Sequence, residues 1–91
     1  MGYDAARAVE WYEKSAEQGN ADAQLSLGSH YAAGRDVTQD MARAVEWFQK
    51  SAQQGNAAAQ VRLASHYANG KGVRQDAARA VEWYQKSAEQ G

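Results

Sequence analysis

His30 and His66 stand thirty-six residues apart, on what read as equivalent positions of neighbouring helices, so their imidazoles are expected about 8–10 Å apart at the helix axes. Two imidazoles supply only half of a four-ligand metal shell, and no carboxylate shares their register. Asp22 lies two turns away on another part of its helix. The expected role of both histidines is therefore loop packing at the edge of a groove, with ligand contact or a weak pH response as the functional alternative. Acid pairs fare no better. Asp22, Asp36 and Asp40 fall at a helix start, in a loop and at another helix start, while Glu13 and Glu17 face solvent. No Ser/His/Asp set recurs at usable spacing, and no glycine-rich loop precedes a helix as a phosphate cradle must. Gly70-Lys71-Gly72 reads as a helix-to-helix turn whose glycines serve the backbone. The Trp-Tyr and Trp-Phe pairs could stack on bases or sugars, but their place in an apolar arc favours a structural role. No catalytic residue, metal ligand or cofactor site is predicted, and the chain reads as a non-enzyme.

What remains is the scaffold. Of 91 residues 44% are hydrophobic, yet twenty of them are alanine, with nine aromatics and no isoleucine. The chain has no proline or cysteine, one threonine and ten glutamines. Good helix formers abound and β-branched residues are scarce, which excludes a β-sandwich or barrel. Without cysteine there is no disulfide framework and no thiolate metal site. A net charge of −1 draws the protein neither to nucleic acid nor to anionic lipid. No apolar run reaches membrane-spanning length, so partners among nucleic acids and membranes are not expected.

A fixed step organises the whole chain. Trp11, Trp47 and Trp83 are each 36 apart, as are Gly19, Gly55 and Gly91, Asp4, Asp40 and Asp76, and Lys14, Lys50 and Lys86. Residues 21–55 match 57–91 at 24 of 35 positions. The chain thus reads as one domain, 1–91, built of a half repeat (3–20) and two whole repeats (21–56 and 57–91). Each repeat holds two helices. The first runs from Ala21 to Ala33 and from Ala57 to Asn69, capped by Asn20 and Asn56 and stopped at Gly34 and Gly70. At about 100° per residue, Ala23, Gln24, Leu27, Gly28 and Tyr31 share one arc, opposite Asp22, Ser26, Ser29 and Ala33. The second spans roughly Asp40 to Gln54, with equivalents at Asp4–Gln18 and Asp76–Gln90. Met41, Ala44, Val45, Trp47, Phe48, Ser51 and Ala52 form its apolar face, and Asp40 is placed in its first turn. Isolated helices of ~12–15 residues are marginal in water, so the pairs must stack into a solenoid whose units touch only their neighbours. The predicted core is Trp11, Tyr12, Leu27, Tyr31, Val45, Trp47, Phe48, Leu63, Tyr67, Val81, Trp83 and Tyr84. On this reading Trp47→Ala costs ~3–5 kcal/mol.

The run Ala21-x-Ala23-x3-Leu27-Gly28-x2-Tyr31-x2-Gly34-x2-Val37-x2-Asp40-x3-Ala44-x2-Trp47-Phe48-x3-Ala52-x2-Gly55 resembles the Sel-one-like repeat, a relative of the tetratricopeptide repeat. Leu63, Tyr67, Gly70, Gly72, Val73, Asp76, Ala80, Trp83, Tyr84 and Gly91 continue it. The resemblance implies an all-α, right-handed α/α superhelix of about five antiparallel helices, whose first helices line a concave surface used for protein–protein contacts. Three departures stand out. Asp36 replaces the second glycine of the family's Gly-x-Gly turn, so this loop is expected to differ in shape from Gly70–Val73. Ala64 replaces the glycine at Gly28, and Thr38 and Arg74 stand where a proline often follows the loop valine. Cysteine-rich members have been credited with β-lactam binding or hydrolysis. With no cysteine here, that activity is only a remote alternative.

Function is expected on the concave stripe: Asp22, Leu25, Ser26, Ser29, His30 and Ala33, then Ala58, Val61, Arg62, Ser65, His66 and Asn69. These positions vary between the two units more than the core positions do, which suits a scaffold that reuses its packing and localises recognition. The leading reading is an adaptor holding a peptide or protein segment. The alternative is a purely structural or self-assembling repeat fragment, either an excerpt of a longer array, natural or engineered, or a piece whose ends pair with another copy. In that case Tyr3, Val9, Trp11 and Tyr12 at one end, and Val81, Trp83 and Tyr84 at the other, leave apolar surface for end-to-end stacking or helix exchange with a second copy.

Overall fold

Two asparagines fix where the first helices start. Asn20 and Asn56 hold extended backbone and accept from the Ala23 and Ala59 amides at 2.9 Å, filling orphan donors of the first turn. Asn56 also donates its amide to the Asp22 carboxylate at 3.1 Å, which joins the starts of two first helices across the repeat. Asn56→Ala should therefore cost at least the usual ~1 kcal/mol of a lost cap, read as a lower denaturation midpoint. Asn20, whose side chain makes no such cross-repeat bond among the described residues, is the comparison.

The structure, a computed structural model, describes residues 5–90, with side chains from 7 onward. The positions Tyr3, Asp4 and Gly91 lie outside that range. Five helices follow one another, α1 (Ala5–Glu17), α2 (Ala21–Ala33), α3 (Met41–Gln53), α4 (Ala57–Asn69) and α5 (Ala77–Gln90), with no strand among the described residues. The main contacts run between consecutive helices, and the molecule measures 46 × 24 × 19 Å. It is an all-α solenoid. No helix among the described residues is long and apolar enough to cross a membrane.

Asp40 is not in the first turn of α3 but is its N-cap, with a carboxylate accepting from the Arg43 amide at 3.1 Å. Asp76 treats Arg79 the same way at 3.1 Å. The two inter-helix loops also differ from expectation. Asp36 takes φ 66 and Gly72 φ 73, so the non-glycine residue adopts the same left-handed backbone, which short polar side chains tolerate better than most.

The seam is narrow because alanine lines it. Ala16, Ala44, Ala52, Ala59, Ala64 and Ala80 are buried around Leu27, Leu63, Val45 and Phe48. Two glutamines tie it together. Gln24 Nε2 donates to the Ala16 carbonyl at 3.0 Å, while Gln54 Nε2 donates to Gln24 Oε1 at 2.8 Å. Gln60 repeats this with Ala52 at 3.1 Å and Gln90 at 2.7 Å. Each buried amide so links three successive helices and leaves no polar atom of its own unpaired.

Helices α1 and α5 form an internal control, differing over 5–18 and 77–90 only at Glu13 against Gln85. Their burial differs sharply. Val9 is 6% exposed and Val81 53%, whereas Trp11 is 72% exposed and Trp83 only half-buried. The second helix has two working faces. Its valine is buried only where a further unit follows, and its tryptophan is better covered where a first helix precedes it. Its second aromatic lies between the first helices of its own unit and the next, as Phe48 does against Gly28 and His66. Among the described residues no first helix packs on Trp11 and none covers Val81 and Tyr84, so these three are exposed, contrary to the predicted core. Tyr12, Trp47 and Trp83 are half-buried. Lys50 and Lys86 lie 4.7 and 4.8 Å from the Trp47 and Trp83 ring centroids. The expected cost of Trp47→Ala accordingly falls, to about 1–3 kcal/mol.

Candidate binding groove

The arc of α2 opposite its buried face bears Leu25, Ser26, Ser29 and His30, none of them fully buried. Tyr12 from α1, Arg35 from the turn after α2 and Arg62 from α4 complete a groove of about 300 Å³. His30 is held on two sides. Its Nδ1 lies 3.0 Å from the Arg35 carbonyl, and its ring centroid is 5.4 Å from that of Tyr12. A carbonyl only accepts, so Nδ1 carries the proton and the neutral ring keeps Nε2 as its acceptor. His66 repeats the arrangement, 2.9 Å from the Lys71 carbonyl and 5.4 Å from the Phe48 ring. Each histidine latches the turn after its helix and packs on the preceding unit. Asp36 lies 3.7 Å from His30 Nδ1.

The remaining predicted residues divide. The Asp22 carboxylate accepts from Asn56, and Asp22 also borders a second hollow of about 300 Å³ with Trp11, Tyr12, Ser15, Ala23 and Ser26. Val61 is 44% exposed; Ala33 and Ala58 are exposed as well, while Ser65 and His66 are half-buried. The Asn69 amide is turned back on the Ser65 carbonyl at 2.9 Å. So the groove gathers five of the twelve positions: Leu25, Ser26, Ser29, His30 and Arg62. It adds two that were not foreseen as lining. Tyr12 reads from the sequence as core, and Arg35 lies in the turn after the α2 C-cap. A signal for Arg35 was present, because a cation follows the capping glycine in both units, as Arg35 and Lys71.

The groove offers hydrogen bonds and shape. Ser29 Oγ donates to the Leu25 carbonyl at 3.0 Å, and among the described residues no serine hydroxyl bonds to His30. No group of three or more His, Asp or Glu side chains gathers for a metal among them either. The arginines fall into two sets. Arg43 donates to the Tyr31 hydroxyl at 3.1 Å, lies 5.6 Å from that ring and 4.0 Å from Asp40. The bond to Tyr31, with the acids nearby, pushes its pKa upward. Arg79 lies 5.7 Å from the Tyr67 ring centroid and 3.7 Å from Asp76. Arg35 and Arg62 have no ion-pair partner among the described residues.

The Sel1 repeat family model matches residues 1–20, 21–56 and 57–91. Among solved structures, c5321, described as a protective antigen of uropathogenic Escherichia coli strains with an SLR fold, aligns with TM-score 0.94 at 42% identity, over 97% of this chain and 19% of that one. A Sel1 repeat protein from Oxalobacter formigenes aligns with TM-score 0.96 at 36% identity, over 100% and 37% of the two chains. Cysteine-rich protein B of Helicobacter pylori shares the fold, with TM-score 0.94 at 21% identity over 98% of this chain and 67% of that one. This chain spans about a fifth and rather over a third of the first two. No curated protein matches it. With an α/α solenoid in hand and the family model matched over every unit, the chain belongs to the Sel1 repeat family, whose members are typically protein-interaction scaffolds rather than enzymes.

Proposed function

We propose that the chain is a non-enzymatic adaptor that holds a peptide or protein segment along the concave face of its first helices. The observation that carries this is the groove itself, which draws on α1, α2 and α4 at once and in which several lining side chains differ from unit to unit while Ser29 and His30 recur. Ser26 is replaced by Arg62 and Leu25 by Val61, while Leu27/Leu63 and Tyr31/Tyr67 stay fixed. A peptide selected from a displayed library should lose at least about tenfold in affinity when Ser26→Trp fills the groove. Glu46→Trp, on the exposed outer side of α3, should leave binding intact. Loss in the outer variant alone, with the groove variant unaffected, would place the partner elsewhere.

A second reading, self-association of the 91-residue chain, is supported by the exposure of Trp11, Val81 and Tyr84. Because α5 repeats α1 almost residue for residue, α5 of a second copy presents the surface that α1 now lays on α2. Sedimentation across a wide concentration range tests it. A mass rising with concentration and restored to monomer by Val81→Glu is the expected signature, and a constant monomer at millimolar protein is the contrary one.

A further inference from the structure

Resting on the proposed groove, we propose that it is specific for an acidic peptide, with one Asp or Glu carboxylate of the partner held between Arg35 and Arg62. The chain carries a net charge of −1, yet every charged side chain that lines this groove is a cation. Two acids of the same helix and turn, Asp22 and Asp36, are not among the lining residues and have other partners. Asp36 stands beside His30, and Asp22 takes the Asn56 amide. The two guanidinium groups come from different repeats, Arg35 from the turn that ends α2 and Arg62 from the middle of α4.

The same types of group elsewhere in the chain show the difference. Arg43 and Arg79 serve the fold, each with a tyrosine and an aspartate. Arg35 and Arg62 have no such fold role. Beside them the Ser26 hydroxyl has no hydrogen-bond partner among the described residues, so a donor is free for a second oxygen. A carboxylate fits this set, because arginine presents a planar fork of donors matched to it. Leu25 and Tyr12 on the same walls accept the apolar part of a neighbouring residue, which makes an extended peptide a better occupant than a free anion. The register also explains why this groove differs from its repeat at α4. There the serine of position 26 has become Arg62 itself, and the basic residue of position 35 is Lys71.

The test is fluorescence anisotropy of the 91-residue chain with a labelled octapeptide alternating glutamate and leucine. Its glutamine-for-glutamate twin and a phosphoserine-for-glutamate version serve as the other probes. The glutamate peptide should bind, weaken with added salt and lose about tenfold or more in affinity with Arg35→Gln and with Arg62→Gln. Arg74→Gln, on an exposed arginine outside the groove, should change little. Equal binding of the glutamate and glutamine peptides, both lost in Ser26→Trp, would overturn the acidic specificity while leaving the concave-face reading intact. Binding of the glutamate peptide that ignores both arginine variants, binding of the phosphopeptide alone, or no binding of the glutamate peptide would each overturn the proposal. Melting curves of the variants, expected to overlay the parent, separate lost recognition from lost folding.

Discussion

Phe48→Ala should lower the unfolding free energy by ~3–5 kcal/mol, whereas Tyr84→Ala, at the same position of the next unit, should cost under about 1 kcal/mol. Phe48 is 1% exposed and Tyr84 44%. The Phe48 ring is gripped from both sides. A Cβ placed on Gly28 would stand 2.7 Å from its Cε1, so the ring lies directly on the α2 backbone, and its other side meets His66 at 5.4 Å. Removing it opens a cavity between two units that alanine-rich helices cannot close by repacking. A domain of this length holds about 5–14 kcal/mol in all, so the variant should melt well below the parent. At Tyr84 the position of Gly28 is held by Ala64, and no described histidine stands where His66 faces Phe48. Urea denaturation of the two variants decides the matter, and equal losses would mean that stacking between units is not what secures the ring.

That contrast also shows what the residues disclose and what they withhold. Helix spans, capping asparagines and the buried set Ala23, Gln24, Leu27, Gly28 and Tyr31 follow from local chemistry and from a periodicity near 3.6, and the structure has them. An apolar arc, however, names a face and not its occupant. Val9 and Val81 sit in the same local sequence, and only the arrival of α2 makes the first one core. The tryptophans mislead for a related reason. A large ring between alanines looks like a filler, but Trp47 lies at the rim, where Lys50 covers one face. In the groove, the α2 residues were legible because they sit opposite the core arc. Arg35 was not, since its direction depends on the left-handed turn at Gly34 (φ 68) and the latch of His30 onto its carbonyl. Tyr12 was hidden by having two roles, packing on His30 and lining the groove with it.

Gly72→Ala should cost roughly 2–4 kcal/mol, although the residue is exposed and touches no part of the hydrophobic core. Its φ of 73 is left-handed, but that is the smaller part, since Asp36 occupies the same conformation in the preceding loop. The larger part is what a Cβ would meet. It would be driven into the backbone carbonyl oxygen of Met41 and come within 3.0 Å of the Ala42 nitrogen, the first turn of α3, where no side chain can swing aside. Either the loop after α4 lifts or α3 and α4 slide apart, and in both cases the stacking between units loosens. Gly70→Ala is the control. At φ 64 it carries a similar conformational strain, but its nearest neighbour is Gln75 Cβ at 3.2 Å, a contact only a few tenths of an ångström too tight, with no backbone atom nearer than 3.5 Å. It should therefore cost nearer 1 kcal/mol. If the two glycines prove equally replaceable, left-handed backbone alone accounts for both, and the loop of one unit does not set its distance from the helix of the unit before. If Gly72 is the costlier, that loop is a spacer between repeats, and the separation of groove walls drawn from different repeats depends on spacers of this kind.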